Sequence, residues 1–573
     1  MSEMLTDMDT TSTFIDFMIK FPFEFQSRVT SSIDWNEYPI ESLLQLILDG
    51  SSLLKSTLAK KLFNIVEWDL DSIKLGLGSD IQHVSDEFEL LLKVIEHIRS
   101  QTNMQSTYVI ETLKLLSYTL DDDIRFKAMF DNTKYLEIVD FLVVASLISL
   151  NIDYLKKIRR CTISDPESTD LDELGLVLNQ NIEFLEIRSI QYEEEDLILI
   201  ENIFEKLKSF QLEQKNLKIN LIVEGESIGT LDFDSLPSLR IPNLDITLII
   251  KSTRHLKAGE LERYIRESFD LKNISHLYIQ FSSDTTTDEY SKDVSFIGHL
   301  NNLKVLKLAG DFRLELNSRS LVLNLDELYL ANGYVNLSNI IAKKMTLKLC
   351  ELPRNTISEG VEELIEESSL DWDQAKLPST LTELEIDDSL DEISFDNNID
   401  VFKNLTNLKK LTISDFIKSA NLSFPPNLHY LEIGSYFGHP SDELEFDFPE
   451  SLRTLVVHEL AVDYVMNMEK FPTNLETLIL YFDVVQNDIE LMFPKSGVKI
   501  LTSYRVDSGH NDDDDDSEMD DDNEILILKL SNIERLVEIN VLGNLTRSVE
   551  VIVPDNEKKY LSNINIVCDE FEI

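Results

Sequence analysis

A six-residue pattern, L-x-x-L-x-(L/I/V), returns nine times along this 573-residue chain and limits its possible folds more than any other feature. It reads IEFLEI from Ile182, ISHLYI from Ile274, LKVLKL from Leu303, LDELYL from Leu325 and LTELEI from Leu381. It continues as LKKLTI from Leu408, LHYLEI from Leu428, LRTLVV from Leu452 and LETLIL from Leu475. The last five copies are spaced by 27, 20, 24 and 23 residues, and Ile274 and Leu303 by 29. The last two apolar positions of each copy are two residues apart, as one face of a strand requires. The first turns into the same interior three residues earlier. One such coil cannot bury its apolar face alone, whereas stacked coils pair their short strands into a parallel sheet.

Four copies carry a proline three residues before the first leucine: LPSTL at Leu377, FPPNL at Phe424, FPESL at Phe448 and FPTNL at Phe471. A fifth near-copy, FPKSGV at Phe493, has one extra residue. Proline fixes φ and donates no hydrogen bond, so it suits the corner that leads into a strand. Spacing and corners together resemble the leucine-rich repeat family, in its irregular fungal and amoebal form, over about Leu171 to the C-terminus. A regular asparagine after the strand is missing, which puts the family's asparagine ladder in doubt. The resemblance implies an α/β fold, a leucine-rich repeat solenoid with a curved parallel sheet over 171–573. Repeats between Asn216 and Leu248 and between Met345 and Leu377 are poorly formed. The segments Lys257 to Phe269 and Glu359 to Ser368 read as helices on the outer side. The last strands, SVEVIV and INIVCDEFEI, are expected to close the array and hide its final apolar edge.

The first 165 residues follow a different period. Phe88, Leu91, Leu92, Ile95 and Ile98 recur at helical spacing, as do Ile110, Leu113, Leu116 and Leu120, and Tyr135 to Ile158 reads as a long helix broken near Asn151. This predicts an all-helical N-terminal module over 1–165 that caps the solenoid, with a junction at Ser164 to Asp170 (SDPESTD). Within it, FPFEFQSRVTSSIDWNEYPIESLLQLIL from Phe21 to Leu48 resembles the F-box, a helical motif spanning about 14–70 here. The resemblance rests on Phe21, Pro22, Glu24, Phe25 and Val29, followed by Ile33, Ile40, Leu43, Leu44, Leu46 and Ile47. It implies docking on the adaptor subunit of a cullin–RING ubiquitin ligase, with Phe21, Pro22, Glu24, Phe25, Val29, Ile33, Leu43 and Leu44 as contacts. Trp68 stands further downstream than the motif's late aromatic residue. An amphipathic cap on a repeat array accounts for the same leucines. Tyr135 to Ile158 also looks like the tail helices of the BTB-type adaptor fold.

Charge and chemistry narrow the function classes. The formal net charge is −53, of which ten acidic residues sit within Asn511 to Glu524. Nucleic acid and anionic membranes are poor partners for such a chain, because phosphate affinity comes from lysine and arginine. Residues 507–523 read as an acidic disordered loop. The longest apolar run, Phe141 to Leu150, is too short to span a bilayer. The opening residues show no secretory signal, and Cys161, Cys350 and Cys568 form no CxxC pair, so a cytoplasmic or nuclear protein is expected. Gly225-Glu-Ser227-Ile-Gly229 fits G-x-S-x-G, but strand and turn residues follow where a nucleophile elbow needs a helix. The histidines have no metal-ligand spacing, and no phosphate loop is present, so no enzyme activity, cofactor or metal is expected. Recognition of a protein target is the better expectation. Residues alternating with the inward leucines would line the concave face: His276, Tyr278, Lys307, Glu327, Tyr329, Glu383, Glu385, Asp387, Lys410, Tyr430, Glu432, His458, Ile479 and Tyr481. The tyrosines are anchors of the type enriched at interfaces, and Glu383, Glu385 and Asp387 suit a basic partner. A non-ligase scaffold, of kinetochore, signalling or GTPase-regulating kind, is the alternative.

Overall fold

In a computed structural model the chain is mixed α/β, with parallel sheet dominating and few helices. The structure describes residues 39–49, 58–69, 72–76, 80–82, 86–101, 108–116, 124–139, 141–164, 170–178, 182–188, 202, 205–208, 218–225, 240, 245–252, 259–281, 292–316, 322–387, 400–414, 423–434, 448–458, 472–483, 488–492, 498–506, 525–542 and 548–568. The expected acidic loop and most of the F-box-like stretch, Phe21 to Ile33 included, lie outside the described residues, as does Ser227. Two compact units divide the chain, 1–255 with 263–275 and 256–262 with 276–573. No closed barrel occurs among the described residues.

The first unit corrects the all-helical expectation. Six strands lie among the described residues of the first 165: Ile65–Trp68, Ser72–Lys74, Asp80–Gln82, Ile110–Leu115, Thr133–Ile138 and Ile158–Ser164. The first three form an antiparallel meander. Ile65–Trp68 then begins a parallel ladder through Ile110–Leu115, Thr133–Ile138, Ile158–Ser164, Phe184–Arg188, Lys218–Gly225 and Asp245–Ser252. Tyr135 to Ile158 is thus a strand end, the helix Val143–Asn151, a 3-10 turn and the start of a strand. Asn151 caps that turn, its Oδ1 accepting from Asp153 N at 3.0 Å. The strand Ile158–Ser164 pairs with Phe184–Arg188 across the expected junction, so the first unit runs through it. Helix Asp86–Gln101 does follow the helical period, with Phe88, Leu91 and Ile95 buried.

Among the described residues of the second unit thirteen strands pair in parallel, each with the next in this series: Ile274–Phe281, Val305–Ala309, Leu323–Ala331, Ile340–Lys348, Glu363–Glu367, Glu383–Asp387, Lys410–Ile413, Tyr430–Ile433, Thr454–His458, Thr477–Asp483, Ile500–Val506, Glu538–Leu542 and Asn565–Cys568. Register stacks like on like. Leu277, Leu306, Leu328, Met345, Leu364, Leu384, Leu411, Leu431, Leu455, Leu478, Leu501 and Ile539 form one unbroken buried column. Short strands between them pair in two further parallel sheets, Lys292–Asp293 with Phe312–Glu315 and Tyr334–Asn336, and Asp488–Met492 with Ile525–Ser531 and Ser548–Ile552.

The proline corners are β-turns closed onto the first leucine, whose N–H donates to the proline carbonyl: Leu452 to Pro449 at 3.0 Å, Leu475 to Pro472 at 3.2 Å. The residue just before such a leucine ties the lead-in of its strand to the segment before it at five described positions. Asn407, Asn427 and Asn474 donate through Nδ2 to the carbonyls of Ser379, Thr406 and Glu450 at 2.9, 2.8 and 2.7 Å. At the same position Thr380 and Ser451, with shorter side chains, reach the carbonyls of Val361 and Leu428 instead, both at 2.7 Å. A polar ladder therefore exists, placed ahead of the strand rather than after it.

Of three further expectations, two change and one holds. Glu359 to Ser368 is no helix; it contains the strand Glu363–Glu367. Lys257 to Phe269 does contain one, Glu260–Ser268. The closing strands do not hide the last apolar edge: Ile552 and Ile566 are 43% and 44% exposed, and no further described strand pairs with theirs.

Candidate recognition surface

Because successive side chains of a strand point to opposite faces, one set in the second unit faces away from the buried column, Thr412 and Val456 being buried members of it, and register sorts that set into rows. The middle row reads Tyr278, Lys307, Tyr329, Thr346, Ile365, Glu385, Thr412, Glu432, Val456, Ile479 and Thr502. One flanking row carries Glu327, Lys344, Glu363, Glu383, Lys410 and Tyr430 in consecutive register. In the other, Lys348, Glu367 and Asp387 are consecutive, and His458 lies opposite Tyr481. All fourteen of the sequence-derived face residues lie in these rows, His276 joining the first flanking row through Val305; Glu383 is exposed, and Tyr278, Lys307, Tyr329, Glu385, Asp387, Tyr430, Glu432 and Tyr481 are half-buried.

The best-formed constellation joins four residues from three strands. The Tyr430 hydroxyl donates to Glu432 Oε2 at 2.7 Å, and His458 Nε2 lies 3.0 Å from Glu432 Oε1. The His458 ring stacks flat on Tyr481, centroids 4.2 Å apart and planes within 1°. Lys410 Nζ sits 5.6 Å from the centre of the Tyr430 ring, within cation–π range. The His458 contact, with the Tyr430 hydrogen bond, holds the Glu432 carboxyl below its usual value against the opposing pull of burial. Burial, then the bond to Glu432, pushes the Tyr430 phenol up. These hydrogen bonds and the stack fix two aromatic rings without a ligand, which lowers the ordering cost of binding.

A second group lies toward the start of the unit. Lys307 bridges to Glu327 at 2.8 Å and sits over the Tyr278 ring at 5.4 Å. The Glu327 hydrogen bond raises the Lys307 pKa. Next along the ladder, Lys344 faces Glu363 at 3.5 Å and Lys348 pairs with Glu367. Glu383, Glu385 and Asp387 follow with no salt bridge among the described residues.

His458 entered the sequence reading only as a member of the alternating column. Its bond to Glu432 spans 26 residues of sequence and depends on coil length, which no local pattern specifies. Of the adaptor contacts expected from the F-box resemblance, only Leu43 and Leu44 are described. They lie on helix Ile40–Asp49, 1% and 0% exposed, and that helix packs against Asp86–Gln101. In this arrangement they offer an adaptor no surface.

The described residues contain no group of three or more histidine, cysteine or acidic side chains able to hold a metal. No described helix is long and apolar enough to cross a membrane. Burial pushes both the Cys161 and the Cys350 thiol up, opposite to the shift that makes a thiol nucleophilic. No protein-family model matches the chain, and no curated protein matches it in sequence.

Proposed function

We propose that this chain is a non-enzymatic protein-recognition subunit whose second unit is a leucine-rich-repeat-type solenoid. The outward rows of its sheet seat a target protein. The observation behind this reading is the Tyr430–Glu432–His458–Tyr481 constellation, in which the coil register assembles rigid aromatic and charged groups on one face. Interfaces draw most of their energy from a few such anchors. Affinity purification of the full chain with mass spectrometry tests it: proteins held by wild type should be lost from a Tyr430→Ala/Tyr481→Ala variant. Retention of the same set by that variant would remove the reading.

In its more specific form, the protein is an F-box-type substrate receptor of a cullin–RING ligase, working in the cytoplasm or nucleus. Phe21, Pro22, Glu24, Phe25, Val29 and Ile33 hold the adaptor while the sheet holds the target, and transfer speeds up through effective concentration. Co-purification of the adaptor, abolished by Pro22→Ala or Val29→Asp, is the deciding measurement. The burial of Leu43 and Leu44 favours the second form, a non-ligase scaffold whose N-terminal helix belongs to the chain's own core. That form retains targets with no adaptor bound.

A further inference from the structure

Among the described residues, acidic side chains on several strands of the second unit follow a pairing rule that the strand Glu383–Asp387 breaks. Glu327 has Lys307, Asp326 has Lys343, Glu363 has Lys344 and Glu367 has Lys348, each cation supplied by an adjacent strand. The first unit does the same with Glu67 and Lys114, Glu111 and Lys134, and Glu137 and Arg160. The strand Glu383–Asp387 instead presents three carboxylates on one face, at alternating positions. Two of them meet like charge in register, Glu383 against Glu363 and Asp387 against Glu367. On its other side Glu383 is registered with Lys410, but that ammonium lies over the Tyr430 ring. Like charges directly opposite one another destabilise a sheet, so this strand carries a folding cost that its neighbours avoid. A cationic partner would relieve it.

A second observation gives that partner a shape. Tyr430 lies in the same row as Glu383, two strands away. At about 4.8 Å per strand the separation is about 10 Å, the length of three residues of extended chain. Beyond Tyr430 come the stacked His458 and Tyr481 rings and the half-buried Ile479. Acid and aromatic surface thus alternate at a distance an extended segment crossing the strands can match.

We propose that the outward face from Glu383–Asp387 to Thr477–Asp483 takes an extended segment of a partner protein bearing arginine or lysine. Its cations meet Glu383, Glu385 and Asp387, and an apolar side chain three residues on lies against Tyr430 and Tyr481. The inference rests on the reading of this face as a protein-binding surface and adds the chemistry of the occupant. Charge complementarity supplies selectivity and the aromatic rings supply contact area.

The test uses the full chain and two labelled twelve-residue peptides, three repeats of Arg-Ser-Ser-Leu and three of Glu-Ser-Ser-Leu, followed by fluorescence anisotropy at about physiological salt. Wild type should bind the arginine peptide and not the glutamate peptide. Glu383→Gln/Glu385→Gln/Asp387→Asn should weaken arginine-peptide binding by about tenfold, the sum of three partly exposed pairs. Tyr430→Ala/Tyr481→Ala should weaken it too. A charge-matched control, Asp512→Asn/Asp513→Asn/Asp514→Asn, removes the same three charges from another part of the sequence and should leave binding within about twofold. Equal loss in the two charge variants would overturn the proposal, because binding would then follow overall charge. Equal binding of both peptides, lost only in the tyrosine variant, would overturn the basic occupant and leave the face reading standing. Failure of wild type to bind either peptide would overturn the proposal; if the tyrosine variant also keeps every co-purified protein, the face reading falls with it.

Discussion

Glu366 is 0% exposed and stands in an inward register position between Leu347 and Ile386, both buried. A carboxylate survives there because it works as a turn acceptor. Its Oε1 takes the N–H of Ser369 and, at 2.8 Å, that of Leu370, closing the chain as it leaves the strand. Glu366→Ala should cost about 2–4 kcal/mol, since it strands two buried donors and opens a cavity; chemical denaturation measures it. Glu432 gives a prediction with a pH signature. Its pKa is held below the 4.5 of an unperturbed group, so folding favours its ionised form. The contribution is fully present above the unfolded value and fades as pH falls through the folded one. Glu432→Gln should therefore lower the thermal midpoint at neutral pH, and the gap from wild type should narrow below about pH 4. A constant gap across that range would mean that the carboxylate's charge contributes nothing.

At the scale of the strand and its turns, the corner after the strand matters as much as the strand. Gly310, Asn332, Leu349 and Ser368 each follow the last residue of four consecutive ladder strands, and all four have positive φ, at 94°, 60°, 51° and 52°. The first three donate their N–H groups to the next coil, Gly310 to Ala331, Asn332 to Lys348 and Leu349 to Glu367, at 2.9, 2.9 and 2.7 Å. A β-carbon on Gly310 would lie 2.1 Å from the Phe281 carbonyl oxygen. Gly310→Ala should thus destabilise by about 2 kcal/mol or more, combining backbone strain with a clash. Leu349, 39% exposed in a conformation that L-residues resist, is the opposite case. Leu349→Gly should stabilise by up to about 1 kcal/mol, read as a higher denaturation midpoint with an unchanged slope. Legibility followed from the same geometry. Copies with apolar residues at all three inward positions were readable from their alternation, and at Leu381, Leu428, Leu452 and Leu475 a corner proline agrees with it. The coil at Val361 to Glu366 was not, because Glu366 replaces the last inward apolar residue and VEELIEE then mimics a helix. Ile110 and Leu113, or Leu136 and Ile138 within Tyr135 to Ile158, read as helical because the strands are short and helices follow them closely. Period alone does not separate such runs from a helix.

For the whole molecule, the dominant quantity is charge. Each unit has its own buried columns, Trp68, Leu115, Ile138, Cys161 and Leu185 in the first, the leucine series in the second. Both are built within a chain of net charge −53. The salt bridges among the described residues join neighbouring strand segments or residues close in sequence, so they neutralise locally and leave the long-range repulsion in place. Self-repulsion of that size opposes compaction and is screened over a Debye length of about 10 Å at 0.1 M salt. Raising sodium chloride from about 20 to 200 mM should therefore raise the thermal midpoint, the reverse of what a fold held by surface ion pairs would do. The sign discriminates between the two. Glu383→Gln/Glu385→Gln/Asp387→Asn should raise the midpoint at low salt and flatten its salt dependence, because Glu363 and Glu367 would then face neutral side chains. The acidic run at 512–514, neutralised by the same three charges, should change the slope less if local repulsion on the sheet face is the larger cost. Differential scanning calorimetry of the three proteins across that salt range separates charge spread over the chain from charge stored on one strand.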